Sequence, residues 1–142
     1  MLFRSAGLVA GLRGGSSAID LSLAQRLAAD PGDDARLIAI AVLDAPLARD
    51  PERTWQLLRR IGRTSPARHI GDALARLMAR GVLAERFRWA ELEQLVYSDR
   101  AHERRLVGAT VARIPATLPA AIRPTLDVAP ALALLEIGRA HV

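Results

Sequence analysis

The sequence predicts an all-α protein built as a stack of helical hairpins, an α-solenoid. Three observations predict it. Asp30 to Pro46 lies over Asp99 to Pro115 without a gap: Asp30/Asp99, Arg36/Arg105, Leu37/Leu106, Val42/Val111 and Pro46/Pro115 coincide, and Ile38/Val107 and Asp34/Glu103 are similar. The offset of 69 residues equals two units of about 35, a common length for a helical-hairpin repeat. Helix start and stop signals recur along the chain, and no segment alternates like a strand bounded by hairpin turns.

Residues 1–15 carry a short apolar run broken by Arg13 and several glycines. They are expected to be a leader or a frayed first helix, too short for a membrane span. Ser17 with Asp20 three residues later resembles a capping box, and Ile19, Leu23 and Leu27 make a stripe after it. Asp30-Pro31-Gly32 breaks that helix, and Asp33 and Asp34 favour the start of the next through its dipole. Asp50-Pro51-Glu52 combines a cap, a proline at the first helical position and an acid. Trp55, Leu58 and Ile61 follow on one side, ended by Gly62. Ser65-Pro66 repeats the start signal, Ile70, Leu74, Leu77 and Met78 form the stripe, and Gly81 closes it. Trp89, Leu92, Leu95 and Val96 mark another helix. Ser98-Asp99 caps the next, with Leu106, Val107, Thr110, Val111 and Ile114 in register. Pro115 and Pro119 break it, and the apolar stretch to Leu135 is interrupted by prolines. Short connections favour antiparallel helix pairs, and the result resembles HEAT repeats over residues 16–135.

The last seven residues, Glu136 to Val142, read as the translation of a sequencing adapter, GAG-ATC-GGA-AGA-GCA-CAC-GTC. They are excluded from the fold on this reading. The native frame is then expected to be cut near Leu135, leaving the face from Leu126 to Leu135 without its next repeat and prone to association.

Composition narrows the chemistry. There is no cysteine, so disulfides, thiolate nucleophiles and cysteine zinc sites are excluded. A reducing cytoplasm fits. All 20 basic residues are arginine, and the net charge is +5. That balance permits a nucleic-acid partner without requiring one. His69 and His102 stand in no metal-binding pattern, and Gly14-Gly15 and Gly71 match no cofactor fingerprint. No cofactor and no metal are expected.

Asp72 and the Arg104-Arg105 pair are the groups that could carry function. At about 100° per residue, Ile70, Leu74 and Leu77 centre the buried stripe and Asp72 lies nearly opposite. Arg68 and Arg76 are its i−4 and i+4 neighbours. They make either a solvated Arg-Asp-Arg ladder or an acid kept ionised in an electropositive groove. Arg105 points away from the Leu106/Thr110/Ile114 stripe, with Arg104 on its flank. These two are either solubilising repeat residues or a phosphate clamp, for which a planar guanidinium is well shaped.

The run Trp55…Ile70-Gly71-Asp72…Trp89…Ser98…Arg104-Arg105-Leu106-Val107 resembles the bacterial DNA alkylation repair family of HEAT-like glycosylases. The resemblance extends from about Asp50 to Pro115. It implies excision of cationic alkylated purines from duplex DNA. Asp72 matches the catalytic carboxylate, which supports an oxocarbenium-like sugar and the attacking water. Arg105 matches the DNA-clamping arginine, with Arg104 as the alternative, and Arg68 and Arg76 extend the DNA-binding set. One turn before the acid, where the family carries an aromatic residue, stands Arg68. Trp55 and Trp89 both fall on apolar stripes and are expected in the core. The cut chain is expected to bind DNA without turning over. The alternative is a non-catalytic HEAT-type scaffold for another protein.

Overall fold

The computed structural model describes residues 16–114. Among these are seven α-helices and no strand: α1 (Ser17–Ala29), α2 (Asp33–Val42), α3 (Pro46–Arg49), α4 (Pro51–Thr64), α5 (Arg68–Ala84), α6 (Arg88–Gln94) and α7 (Ala101–Ala112), with a 3-10 turn at Leu95–Tyr97 before α7. The all-α class is the one the sequence predicts. The leader, the stretch from Leu126 to Leu135 and the adapter-like Glu136 to Val142 lie outside the described residues. The chain divides into two compact units, Met1–Thr64 and Ser65–Val142.

In the first unit α1 packs on α2, and α3 and α4 close against them. The cap of α1 is Ser16, whose hydroxyl oxygen accepts from the Ile19 amide at 3.3 Å. The capping box expected at Ser17 and Asp20 therefore does not form, and Asp20 is buried. The buried face is Leu21 and Ala24, whereas Ile19 is 62% exposed and Leu23 and Leu27 are half-buried. The expected stripe was mis-phased because Ile19 stands on the exposed side with Ser22, Gln25 and Arg26, which leaves periodicity little to discriminate. Asp30 stops the helix by accepting the Gly32 amide on its own carboxylate at 2.7 Å, a local turn that competes with helix. Pro51 opens α4, and Asp50 before it accepts the Arg53 amide at 3.5 Å. Trp55, Leu58 and Ile61 are fully buried, as their spacing predicts. Each contributes about 1.5–3 kcal/mol of burial. Gly62 does not end the helix, which continues to Thr64.

In the second unit the principal packing is α5 on α7. Ile70, Leu74 and Met78 are fully shielded on α5, and Leu106, Val107 and Thr110 are buried on α7. Helix α5 runs through Gly81 to Ala84. Helix α6 and the 3-10 turn carry the chain back, burying Leu92, Leu95 and Val96. Two details depart from the sequence reading. Trp89 is half-buried, its indole N–H donating to Glu93 at 3.0 Å, while its neighbour Arg88 is 1% exposed and donates to Glu85 at 3.0 Å. The cap of α7 is Arg100, and no side chain caps it. Ser98 instead accepts the Arg100 amide at 3.1 Å and donates its hydroxyl to the buried Glu103 at 2.8 Å.

Candidate nucleic-acid interface

The candidate residues all belong to the second unit. Along α5 the solvent side reads Arg68, Asp72, Arg76 and Arg80, each four residues from the next, and all are exposed. The opposite side is the Ile70/Leu74/Leu77/Met78 stripe, so the apolar pattern fixes which way the charges face. Asp72 therefore stands where the spacing put it, on the exposed side of α5.

The ladder expected around Asp72 does not close. Among the described residues Asp72 forms no ion pair with Arg68 or Arg76. Asp72 instead meets Arg113, from the end of α7, at 3.9 Å, with side-chain exposures of 63% for Asp72 and 36% for Arg113. The physical reason is that the alternatives differ little. An i,i+4 pair in water is worth a few tenths of a kcal/mol at about its best, and Arg68 before Asp72 is the poorer order along a helix.

Arg105 and Arg104 separate. Arg105 is exposed and crosses to the start of α5, donating from Nη2 to the Pro66 carbonyl at 3.3 Å. Arg104 is half-buried and folds back onto its own connection, donating to the Ser98 carbonyl at 2.5 Å. Of the pair, Arg105 is the one that presents to solvent. Arg36, its counterpart 69 residues earlier, also ties a backbone carbonyl within its unit, that of Thr64 at 2.8 Å. Arg36 and Arg105 thus each donate to one backbone carbonyl of their own unit.

Arg105 near Pro66 and Arg113 near Asp72 fix the seam. Both contacts progress in the same sense, so α5 and α7 run side by side in one direction. Eight residues separate Arg105 from Arg113, about 12 Å of helix and two turns and a little more. Arg68, Asp72 and Arg76 are exposed on α5, Arg105 and Arg113 are exposed on α7 and its end, and of these arginines Arg113 is the one that meets the Asp72 carboxylate. Arg113 is not marked by the sequence pattern because it sits past the last helical residue, as the C-cap.

The seam has no aromatic wall from either tryptophan. Trp55 belongs to the core of the first unit, fully buried, and Trp89 is tied to Glu93 on α6. His69 is exposed on α5 and His102 half-buried on α7. No cluster of metal-ligating side chains occurs among the described residues. No described helix is long and apolar enough to cross a membrane.

Fold and seam together define an all-helical protein with an arginine-rich face. No family model, curated protein or solved structure matches the chain.

Proposed function

We propose that this chain is a DNA-binding protein of helical-hairpin repeats that grips the phosphate backbone through the α5–α7 seam, in the manner of the alkylation repair family it resembles. The observation that carries this reading is the row of exposed guanidiniums of Arg68, Arg76, Arg105 and Arg113 along two parallel helices. Arginine matches phosphate bidentately, and binding several phosphates releases condensed counterions. Phosphate contacts of this kind position a duplex without reading its sequence. The repeat arrangement is supported by α2 and α7, the two helices that fall in the matched segments of the 69-residue echo.

Excision of an alkylated purine is the finer form of this reading, with Asp72 as the carboxylate. Its exposure limits what it does unaided, because a carboxylate in water stabilises a developing cation by only about 1 kcal/mol at 4 Å. Bound DNA would have to exclude water from Asp72 for the chemistry to proceed. Arg113 already stands 3.9 Å from that carboxylate.

The test is binding of the protein to a 20-base-pair duplex across a salt series. Affinity is expected to fall steeply with salt, and Arg105→Ala to reduce the slope of log K against log salt by about one. No binding at low salt, or binding indifferent to salt, overturns the reading and favours the protein scaffold. Release of a methylated purine that Asp72→Asn abolishes would establish the enzyme. A protein that binds DNA and releases no base keeps the grip and loses the chemistry.

A further inference from the structure

Tyr97 is the most exposed large apolar side chain among the described residues, at 80%, and the DNA grip gives it no task. It ends the 3-10 turn whose other members, Leu95 and Val96, are buried. The next residue is held on every side. The Ser98 amide donates to the Leu95 carbonyl at 3.2 Å, its carbonyl accepts from Arg104, its hydroxyl donates to Glu103, and its oxygen accepts the Arg100 amide. The ring of Tyr97 thus stands in water on a fixed mount. An ordered mount lowers the entropy that a bound partner must otherwise remove.

The charges at this end of the unit are basic. Arg100 lies three residues on, with its side chain 54% exposed, and the Arg104 guanidinium rests against the Ser98 carbonyl. Arg105 reaches Pro66 at the start of α5, and Arg68 follows in the first turn of that helix. Three acids share the neighbourhood, the first being Glu93, one turn before Tyr97, which accepts the Trp89 indole N–H. Glu103 is buried and engaged by Ser98 and Arg100, while Asp99 is exposed.

We propose that Tyr97 is a stacking platform for an unpaired DNA base, with the phosphates flanking that base held by Arg100 and Arg105. The proposal rests on the DNA-binding reading and names the form of DNA it favours. An aromatic face flanked by guanidiniums suits single strands, because every base has a π-face and the backbone follows the positive charge. Inside an intact duplex both faces of each base are already covered by its neighbours. Tyr97 therefore selects single-stranded DNA, or a duplex carrying a gap or bulge, over continuous duplex.

The experiment compares a single-stranded 20-mer with a 20-base-pair duplex by fluorescence anisotropy at fixed low salt and across a salt series. Tyr97→Ala is expected to weaken single-strand binding by about tenfold or more while changing duplex binding little. The salt slope on the single strand is expected to stay the same, because stacking releases no counterions. Tyr97→Phe keeps the ring and is expected to retain native affinity. Native binding by Tyr97→Ala, an equal loss on both DNAs, or failure of Tyr97→Phe to retain affinity overturns the platform and leaves the arginine grip standing. Failure of the unaltered protein to bind either DNA at low salt removes the grip and the platform together.

Discussion

Trp55 and Arg105 mark the two kinds of residue in this chain, one spent on the core and one on the surface. Trp55 is fully shielded and packs in the first unit. Trp55→Ala is expected to cost about 3–5 kcal/mol, read as a lower midpoint in urea unfolding at unchanged slope. Arg105→Ala should behave oppositely. It removes one exposed hydrogen bond to Pro66, so stability should shift by less than about 0.5 kcal/mol while DNA affinity falls. A large loss of stability would make Arg105 a structural staple and remove it from the grip. The sequence distinguished these two cases because apolar spacing on α4 is sharply one-sided and sets Trp55 inward, whereas Arg105 is marked as a surface group by its charge. It did not reveal Arg88, a charged side chain buried to 1% beside Glu85, nor Glu103, buried between Ser98 and Arg100. Residue type alone marks both as surface groups. Each has an oppositely charged partner three residues earlier, Glu85 for Arg88 and Arg100 for Glu103, which is what allows the burial.

Helices α5 and α1 show why some elements were legible and others not. On α5 the apolar residues recur at Ile70, Leu74, Leu77 and Met78 and charges recur at Arg68, Asp72, Arg76 and Arg80, so one face follows from the other. On α1 the exposed side mixes Ile19 with Ser22, Gln25 and Arg26 while Asp20 is buried, so the apolar pattern does not show the phase. Helix α5 also carries Gly71 in its interior, beside Asp72. Nothing lies within 4 Å of the position its Cβ would occupy. Gly71→Ala is therefore expected to stabilise the protein by about 0.5–1 kcal/mol, through helix propensity and the restricted unfolded chain. Thermal unfolding measures it. If the open space beside Asp72 admits the DNA backbone, the same variant should bind duplex DNA more weakly despite its higher melting temperature. Greater stability with unchanged affinity would mean that the ligand does not approach at Gly71. The cap of α4 gives a second element-scale expectation. Asp50→Ala removes the carboxylate that accepts the Arg53 amide and should cost about 0.5–2 kcal/mol.

At the scale of the whole chain, charge is divided unevenly along the sequence. Residues 16–64 hold seven arginines and seven acids, while residues 65–114 hold nine arginines and six acids. Of the net charge of +5, residues 65–114 carry +3 and residues 16–64 carry none. If binding followed net charge alone, reversing any two exposed arginines would weaken it equally. If it follows the seam, position decides. Arg53→Glu with Arg60→Glu reverses two exposed residues on α4, and Arg68→Glu with Arg76→Glu reverses two exposed residues on α5. Both double variants change the net charge by the same amount. The α5 variant is expected to lose duplex binding at physiological salt and to flatten the salt slope by about two, and the α4 variant to keep most of its affinity. Equal losses would assign binding to diffuse charge and deny the seam any special place. Exposed charges farther than a Debye length of about 8 Å from the bound strand are largely screened at physiological salt, so a difference between the variants reports which arginines lie close to phosphate.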